Sequence, residues 1–142
     1  MVTAVSNAVF DRLMTSAPLL ALVSSYNSGK AIFTQSPIPP NVQAPYIVVS
    51  DPVVDVPGVF DTKDTIGREW VRDIFCYADT DGSVAVVDEM AELVRGLFHR
   101  QHGEINVVGA AVIVARATGP EVAPTDDTLY GRVVTVTLTA AL

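Results

Sequence analysis

Apolar residues recur at helical spacing in two long segments of the chain. From Val2 to Met14 they fall three or four positions apart, which predicts an amino-terminal helix. From Val84 to His99 they form one broad stripe of period about 3.6 with Arg95 and acidic residues on the other side, as is typical of a long amphipathic helix. Between these segments, Pro18 can open a helix but cannot continue one, so a short helical turn is expected from Leu19 to Val23.

Most of the remaining apolar segments have the continuous or alternating patterns of strands. A β-branched run from Tyr46 to Ser50 lies between prolines, and a longer strand is expected from Arg68 to Asp79, polar at its start and buried at its end. Ile105 to Thr118 is almost continuously apolar and predicts a strand with Gly109 as a bulge. From Tyr130 to Thr139, apolar residues alternate with threonine, which predicts a strand with one buried and one solvated face.

Proline and glycine interrupt the chain in three regions. Their density between Asn27 and Pro45 allows only a brief edge strand near Lys30 to Thr34. Pro57 and Gly58 are predicted to end an edge extension of the Tyr46 strand, so that residues 51–64 are mainly a loop. A second loop is predicted over residues 119–128, which contain one glycine and two prolines.

The order of these elements predicts an α+β fold. Strands are interrupted by helices without regular β-α-β repetition, which favours a mostly antiparallel sheet with the long amphipathic helix and the amino-terminal helix packed on one face. A chain of 142 residues is the usual size of one domain, and we find no internal repeat and no long linker. The sequence therefore predicts a single domain over residues 1–142.

Composition excludes several functional classes. The chain is 49% hydrophobic and 18% charged, as expected of a core-rich globular protein. Its net charge of -7 and its scattered basic residues argue against a grip on nucleic acid phosphates. The longest apolar run is about nine residues, far below the ~20 that span a bilayer. We therefore expect a soluble protein of the cytosol, or of a particle assembled there, that does not bind membranes.

Two segments carry almost all of the net charge. Residues 51–64 and residues 119–128 each have a net charge of -3. Acidic segments are most often solvated connections, but these are long for a compact domain and are also candidates for contacts in assembly. The candidate residues are Asp51, Asp55, Asp61, Lys63, Asp64, Glu121, Asp126 and Asp127.

No catalytic constellation stands out, so the chain is not expected to be an enzyme, to hold a metal or to need a cofactor. Cys76 lies in an apolar strand, where desolvation blunts a thiol, and is interpreted as a core residue. His99 and His102 are three residues apart but have only Glu104 as a nearby third ligand, so interaction with the helix dipole explains them better than a metal. Asp79-Thr80-Asp81-Gly82 lacks the glycine and glutamate positions of a calcium loop and is interpreted as a turn that caps the following helix.

The whole pattern resembles the tail terminator, or tail completion, proteins of long-tailed bacteriophages and phage-like particles. The resemblance rests on the first helix with Pro18-Leu19-Leu20-Ala21-Leu22-Val23, and on the proline-rich stretch that ends in Ala44-Pro45-Tyr46-Ile47-Val48-Val49. It continues in the strand Val71-Arg72-Asp73-Ile74-Phe75-Cys76-Tyr77-Ala78 that leads into the long helix, and in the closing strand Gly131-Arg132-Val133-Val134-Thr135-Val136-Thr137-Leu138. Where family members often carry tryptophan just before the turn, this chain has Tyr77-Ala78.

The resemblance implies a structural virion protein at the junction between tail and neck, assembled in the cytoplasm of a bacterial host. Its subunits would form a ring, commonly a hexamer, that caps the tail tube, stops polymerisation and joins the tail to the head connector or stopper protein. DNA would pass through the ring only as cargo, and an acidic lumen would let it slide. Two alternatives remain open: a head–tail stopper or adaptor of the same neck, and a small α+β ligand-binding domain or enzyme, which would need a pocket with convergent polar groups.

Overall fold

The computed structural model describes residues 2–34, 38–39, 41–50, 54–59, 66–80, 84–125 and 128–141. The helices are α1 (Val2–Met14), α2 (Ala17–Leu22) and α3 (Val84–Phe98), with a single 3-10 turn at His102–Glu104. The strands are β1 (Ser25–Tyr26), β2 (Gly29–Lys30), β3 (Ile32–Phe33), β4 (Tyr46–Val49), β5 (Val54–Val59), β6 (Ile66–Asp79), β7 (Ala111–Val122) and β8 (Leu129–Ala141). The α+β class is confirmed.

The described strands form a β1–β2 ribbon and a six-stranded sheet in which β6 is central. The sheet runs in the order β3-β4-β6-β8-β7, with β5 also paired to β6. All of these pairings are antiparallel except β3 with β4. Two strands share one edge of β6: β5 pairs with the first half of β6 and β4 with the second half. On the other edge, β8 pairs with nearly the whole length of β6.

The three helices form where the apolar spacing predicts them. On α1, Val5, Ala8, Val9 and Leu13 of the predicted stripe are buried, whereas Met14 is exposed, and α1 contacts β4 and α3. Before α2, the side chain of Ser16 accepts a hydrogen bond from the Leu19 amide, and Pro18 lies in the first turn, where no amide hydrogen is needed. On α3 the buried stripe is Val87, Met90, Ala91, Val94 and Phe98. This helix packs against β6, β7 and β8.

The core lies on one face of the sheet. Paired residues such as Ile74, Val49 and Val134 are all buried, and strand pairing puts their side chains on the same side. The opposite face, which we call the open face, carries half-buried residues, among them Phe75 and Tyr77. Among the described residues, no helix has the length and hydropathy needed to cross a membrane.

Residues 54–59 form strand β5, whereas the sequence predicted an edge extension of the Tyr46 strand that ends before Pro57 and is followed by a loop. Pro57 and Gly58 lie within β5, paired with Arg68 and Gly67. Proline and glycine usually end a strand, but β5 is an edge strand that pairs with β6 alone among the described strands. Pro57 therefore has no second neighbouring strand to which it would have to donate an amide hydrogen bond. The prediction of a polar start for β6 was also wrong in part, because Trp70 and Arg72 in its first half are buried.

The strand predicted from Ile105 to Thr118 is displaced towards the carboxyl terminus. β7 begins at Ala111, after the 3-10 turn and an irregular stretch in which Ile105 and Val107 are buried. Gly109 has a positive φ of 87° in that stretch and is not a strand bulge. The pairing of β7 with β8 instead shifts between Val112 and Val114, and between Thr118 and Glu121. Part of the second predicted loop is therefore strand.

Candidate assembly surfaces

The structure locates only part of the acidic candidate set. Asp51, Asp61, Lys63, Asp64, Asp126 and Asp127 lie outside the described residues. Asp55 lies on β5, opposite Trp70, and Glu121 lies exposed on β7, opposite Val133. These two were expected on loops, and both belong to strands.

The described residues that flank residues 60–65 and residues 126–127, which are parts of the two acidic segments, lie at opposite ends of β6. Val59 and Ile66, on either side of residues 60–65, pair with each other at the first residue of β6. Thr128, which follows residues 126–127, accepts a hydrogen bond from the Thr80 amide just beyond the last residue of β6. The 14 residues of β6 span about 43 Å, so the two flanking sites are far apart.

β7 is a terminal strand of the sheet, and the end of α3 covers the middle of its free edge. Among the described strands, β7 pairs with β8 alone. The amide of Ala117 donates to Nδ1 of His99 at 3.2 Å, and the carbonyl of Ala115 accepts from the Arg100 amide at 3.0 Å. The imidazole of His99 therefore covers part of the free edge of β7.

The free edge of β7 is flanked by exposed apolar side chains. Ile113 and Val114 are 42% and 44% exposed, and Val122 at the far end of the strand is 77% exposed. An exposed edge strand with apolar residues is a common docking element, because its outward amides and carbonyls are open to pairing.

Two arginines lie next to this apolar edge. Arg100 and Arg116 are the two basic residues classed as exposed, among the arginines and lysines whose side chains the structure describes. Neither guanidinium has a hydrogen bond or ion pair within the described part of the chain. Arg116 alternates with the buried Ala115 and Ala117, so its side chain lies on the open face. In a chain with a net charge of -7, this edge is a local basic surface.

A cleft lies at the carboxyl end of β6, between the start of β4 and the start of β8. Its volume is about 410 Å³. Its lining residues are Val42, Gln43, Ala44, Tyr46, Asp79, Thr128 and Leu129. The exposed side chain of Asp79 shares the open-face parity of Phe75 and Tyr77, and its carboxylate forms no hydrogen bond or ion pair among the described residues. The cleft is mainly polar and carries a negative charge.

Aromatic residues border this cleft on the open face. The rings of Tyr46 and Tyr77 are 5.1 Å apart, and the ring of Phe75 is stacked on that of Tyr77 at 6.2 Å. Desolvation raises the pKa of Tyr77, with a smaller contribution from the charge of Cys76. The Tyr77 phenol is therefore neutral at physiological pH and offers a hydrogen bond rather than a charge.

The remaining residues with possible chemical roles are Cys76, His102 and Glu104. Cys76 is buried, and desolvation raises the pKa of its thiol from 9.0 to about 12, as the prediction of a core cysteine requires. His102 and Glu104 lie exposed on the 3-10 turn. Within the described ranges, no group of three or more histidine, cysteine or acidic residues is placed to hold a metal.

Sequence reasoning missed both the arginine-bearing edge and the cleft. The only local signal for the edge is the alternation of small and basic residues at Ala115-Arg116-Ala117. That alternation indicates a strand with one buried face, but it does not tell which strand ends the sheet.

Comparison with solved structures identifies a virion chain of similar fold. That chain belongs to the "Virion of native gene transfer agent (GTA) particle", and the two folds match with a TM-score of 0.69 and 16% sequence identity. The match covers 96% of this chain and 92% of that chain. At this identity, it shows a shared fold. No protein-family model and no curated protein matches the sequence.

Proposed function

We propose that this chain is a structural protein of a phage-like virion and that it acts as a tail terminator. The observation that carries the proposal is the fold shared with a chain of the gene transfer agent virion, which extends over nearly the full length of both chains. The order of elements that resembles tail terminators runs over the same length of sequence. In this role, several copies form a ring, six in the expected case, that caps the tail tube and stops its polymerisation.

The charge of the chain suits a conduit for DNA. Copies with a net charge of -7 each surround the channel with negative charge, and a negative wall repels phosphates and lets the duplex slide. The partners in this proposal are further copies of the chain, the tail tube protein and a connector or stopper protein of the head. The site of action is the junction between the tail and the neck.

The acidic segments are proposed to act in assembly. The described residues that flank residues 60–65 and residues 126–127 lie at the two ends of β6, which supports one segment on each face of a ring whose strands run across its thickness. One face would meet the tube and the other the head connector. The segments would then contribute to partner contacts more than to the stability of the subunit.

Two measurements test the proposal. Electron microscopy of the purified protein, alone and mixed with tail tubes, should show rings in solution or at tube ends. Particles assembled without the protein should have tails of uncontrolled length, because nothing stops tube growth. Tails of normal length on heads that do not join them would instead identify a stopper or adaptor. A monomer that neither binds tubes nor changes tail length would overturn the virion assignment.

A further inference from the structure

We infer that the arginine edge, defined as Arg100, Ile113, Val114 and Arg116, binds the Asp79 cleft of a second copy of this chain. The inference rests on the proposed ring and specifies the contact between its subunits. The contact is heterologous: a surface at the free edge of the sheet meets a different surface at the carboxyl end of the central strand β6. Contacts of this kind form closed rings when the rotation between copies closes.

Electrostatics selects the arginine edge as one half of the contact. Two copies that each carry a net charge of -7 repel one another unless opposite charges meet locally. Arg100 and Arg116 are the two exposed basic side chains of the described surface, and they are neighbours because the Arg100 amide donates to the carbonyl of Ala115. Glu104 on the 3-10 turn and Glu121 further along β7 are exposed acidic residues of the same region, and neither forms an ion pair with Arg100 or Arg116 in the described part of the chain.

Shape and chemistry select the cleft as the other half. Its volume of about 410 Å³ accommodates an arginine side chain, and its lining offers the Asp79 carboxylate together with the polar side chain of Gln43. A carboxylate beside polar hydrogen-bonding groups is a good partner for the fixed fork of a guanidinium. The exposed apolar side chains of Ile113 and Val114 would also pack against the neighbouring copy and exclude water next to the contact between arginine and carboxylate.

The positions of the two surfaces define how neighbouring copies are arranged. Arg116 and Asp79 both lie on the open face, Arg116 on the terminal strand β7 and Asp79 at the end of the central strand β6. Arg116 pairs with Thr137, which pairs with Val71, so it is level with the first half of β6, whereas Asp79 is eight residues further along. Eight residues of strand span about 26 Å, so adjacent copies are offset along the strands. Their strands are then inclined to the ring axis, as in closed sheets.

Charge reversal tests this contact. Arg116→Glu and Asp79→Lys should each raise the concentration needed for half-maximal ring formation by on the order of tenfold or more, because like charges then face each other. Arg95→Glu and Glu89→Lys make the same charge changes on α3 and serve as matched controls that should leave assembly unchanged. Circular dichroism should show that all four variants are folded.

Mixing the two variants is the decisive measurement. In a head-to-tail ring, an Arg116→Glu copy presents its introduced carboxylate to the introduced ammonium group of an Asp79→Lys copy. That second copy in turn presents its native Arg116 to the native Asp79 of the next Arg116→Glu copy. Equimolar mixing should therefore restore rings in which the variants alternate, detectable by native mass spectrometry. Arg116→Glu combined with Asp79→Lys in one chain should also restore assembly.

The outcomes separate this inference from the proposed function. Rings that persist at unchanged concentration in both single variants overturn this contact and leave the ring proposal intact. Loss of rings in the single variants without recovery on mixing also overturns the pairing. A wild-type chain that stays monomeric at high concentration and with tail tubes present overturns the ring and the contact together.

Discussion

The imidazole of His99 accepts a hydrogen bond from the Ala117 amide at 3.2 Å, so the residue after α3 covers the free edge of β7. Ala117 is itself 1% exposed, so its amide has little access to water. Without the acceptor, a nearly buried N–H group would lose its partner. The bond therefore joins the carboxyl end of α3 to the terminal strand and leaves the two ends of that strand open for docking.

The first prediction concerns this bond. His99→Leu keeps a side chain of similar bulk but removes the acceptor, and it should lower the free energy of unfolding by about 1–3 kcal/mol. Urea unfolding measures the change, and amide exchange at Ala117 should become faster. His102→Leu is the matched control on the exposed 3-10 turn and should be nearly neutral. Equal effects of the two substitutions would contradict the role of His99.

The second prediction concerns the packing of α3 on the sheet. Phe98 is 0% exposed, whereas Leu93 is half-buried. Phe98→Ala should cost about 3–5 kcal/mol through lost burial and the cavity that remains. Leu93→Ala should cost less, because part of its side chain is already in water. Urea unfolding measures both, and losses below about 1 kcal/mol for the two variants would show that the helix is not part of the core.

The helices and β8 could be predicted because their signals are local. The apolar stripe of α3 and the threonine alternation of β8 reflect the side on which each element packs. β5 could not be predicted in the same way, because Pro57 is acceptable only where its nitrogen faces a free sheet edge, and position in the sheet is set by distant pairing. The burial of Arg72, a charged residue of β6, could likewise not be predicted from the local sequence.

The candidate surfaces also depend on strand pairing between distant parts of the sequence. The charge of the acidic segments could be counted from the sequence, but their separation depends on the pairing of β6 with β5 and β8. The arginine edge depends on β7 being the last strand of the sheet. A residue such as Arg116 has no local mark that distinguishes an edge strand from an interior one.

The third prediction concerns the irregular pairing of β7 with β8. Gly119 has a φ of +100°, and a Cβ there would lie 2.8 Å from the carbonyl oxygen of Val133. Gly119→Ala should therefore destabilise the fold by about 1–3 kcal/mol. Gly96→Ala is the matched control, since nothing lies within 4 Å of its added Cβ on α3. That substitution should stabilise by about 0.5–1 kcal/mol, because alanine favours a helix more than glycine does. Thermal unfolding that ranks the two variants in the opposite order would contradict this account of β7.

The fourth prediction concerns Cys76. Burial raises its thiol pKa from the ordinary value of 9.0 to about 12, so the folded thiol stays protonated at physiological pH and is shielded from reagents. Iodoacetamide should label it only as fast as the protein unfolds, and urea should increase the rate. The raised thiol pKa also makes the free energy of unfolding depend on pH. The contribution of Cys76 to this free energy is complete below pH 9.0 and is lost as the pH rises towards about 12. Cys76→Ala should reduce that loss, and rapid labelling of the folded protein would contradict the buried site.

The last prediction concerns the acidic segments, which we propose act in assembly and not in folding. One variant replaces Asp55, Asp61 and Asp64 with Asn, and the other replaces Asp126 and Asp127. Each removes charge with little change in volume, and exposed charges contribute little to stability, so the proposal predicts that the melting temperature stays nearly constant. Both variants should complete tails poorly when added to particles that lack the native protein.

Glu89 and Glu92, exposed on α3, provide the matched control for these two variants. Their replacement with Gln removes a similar charge from a surface with no proposed partner and should leave tail completion normal. Because the described residues that flank residues 60–65 and residues 126–127 lie at opposite ends of β6, we expect the two variants to fail at different steps: one at capping of the tube and the other at joining of the head. Electron microscopy distinguishes these failures as overlong tails and as finished tails without heads. Normal completion by both variants would assign the segments to solvated connections and leave the sheet edges as the assembly surface.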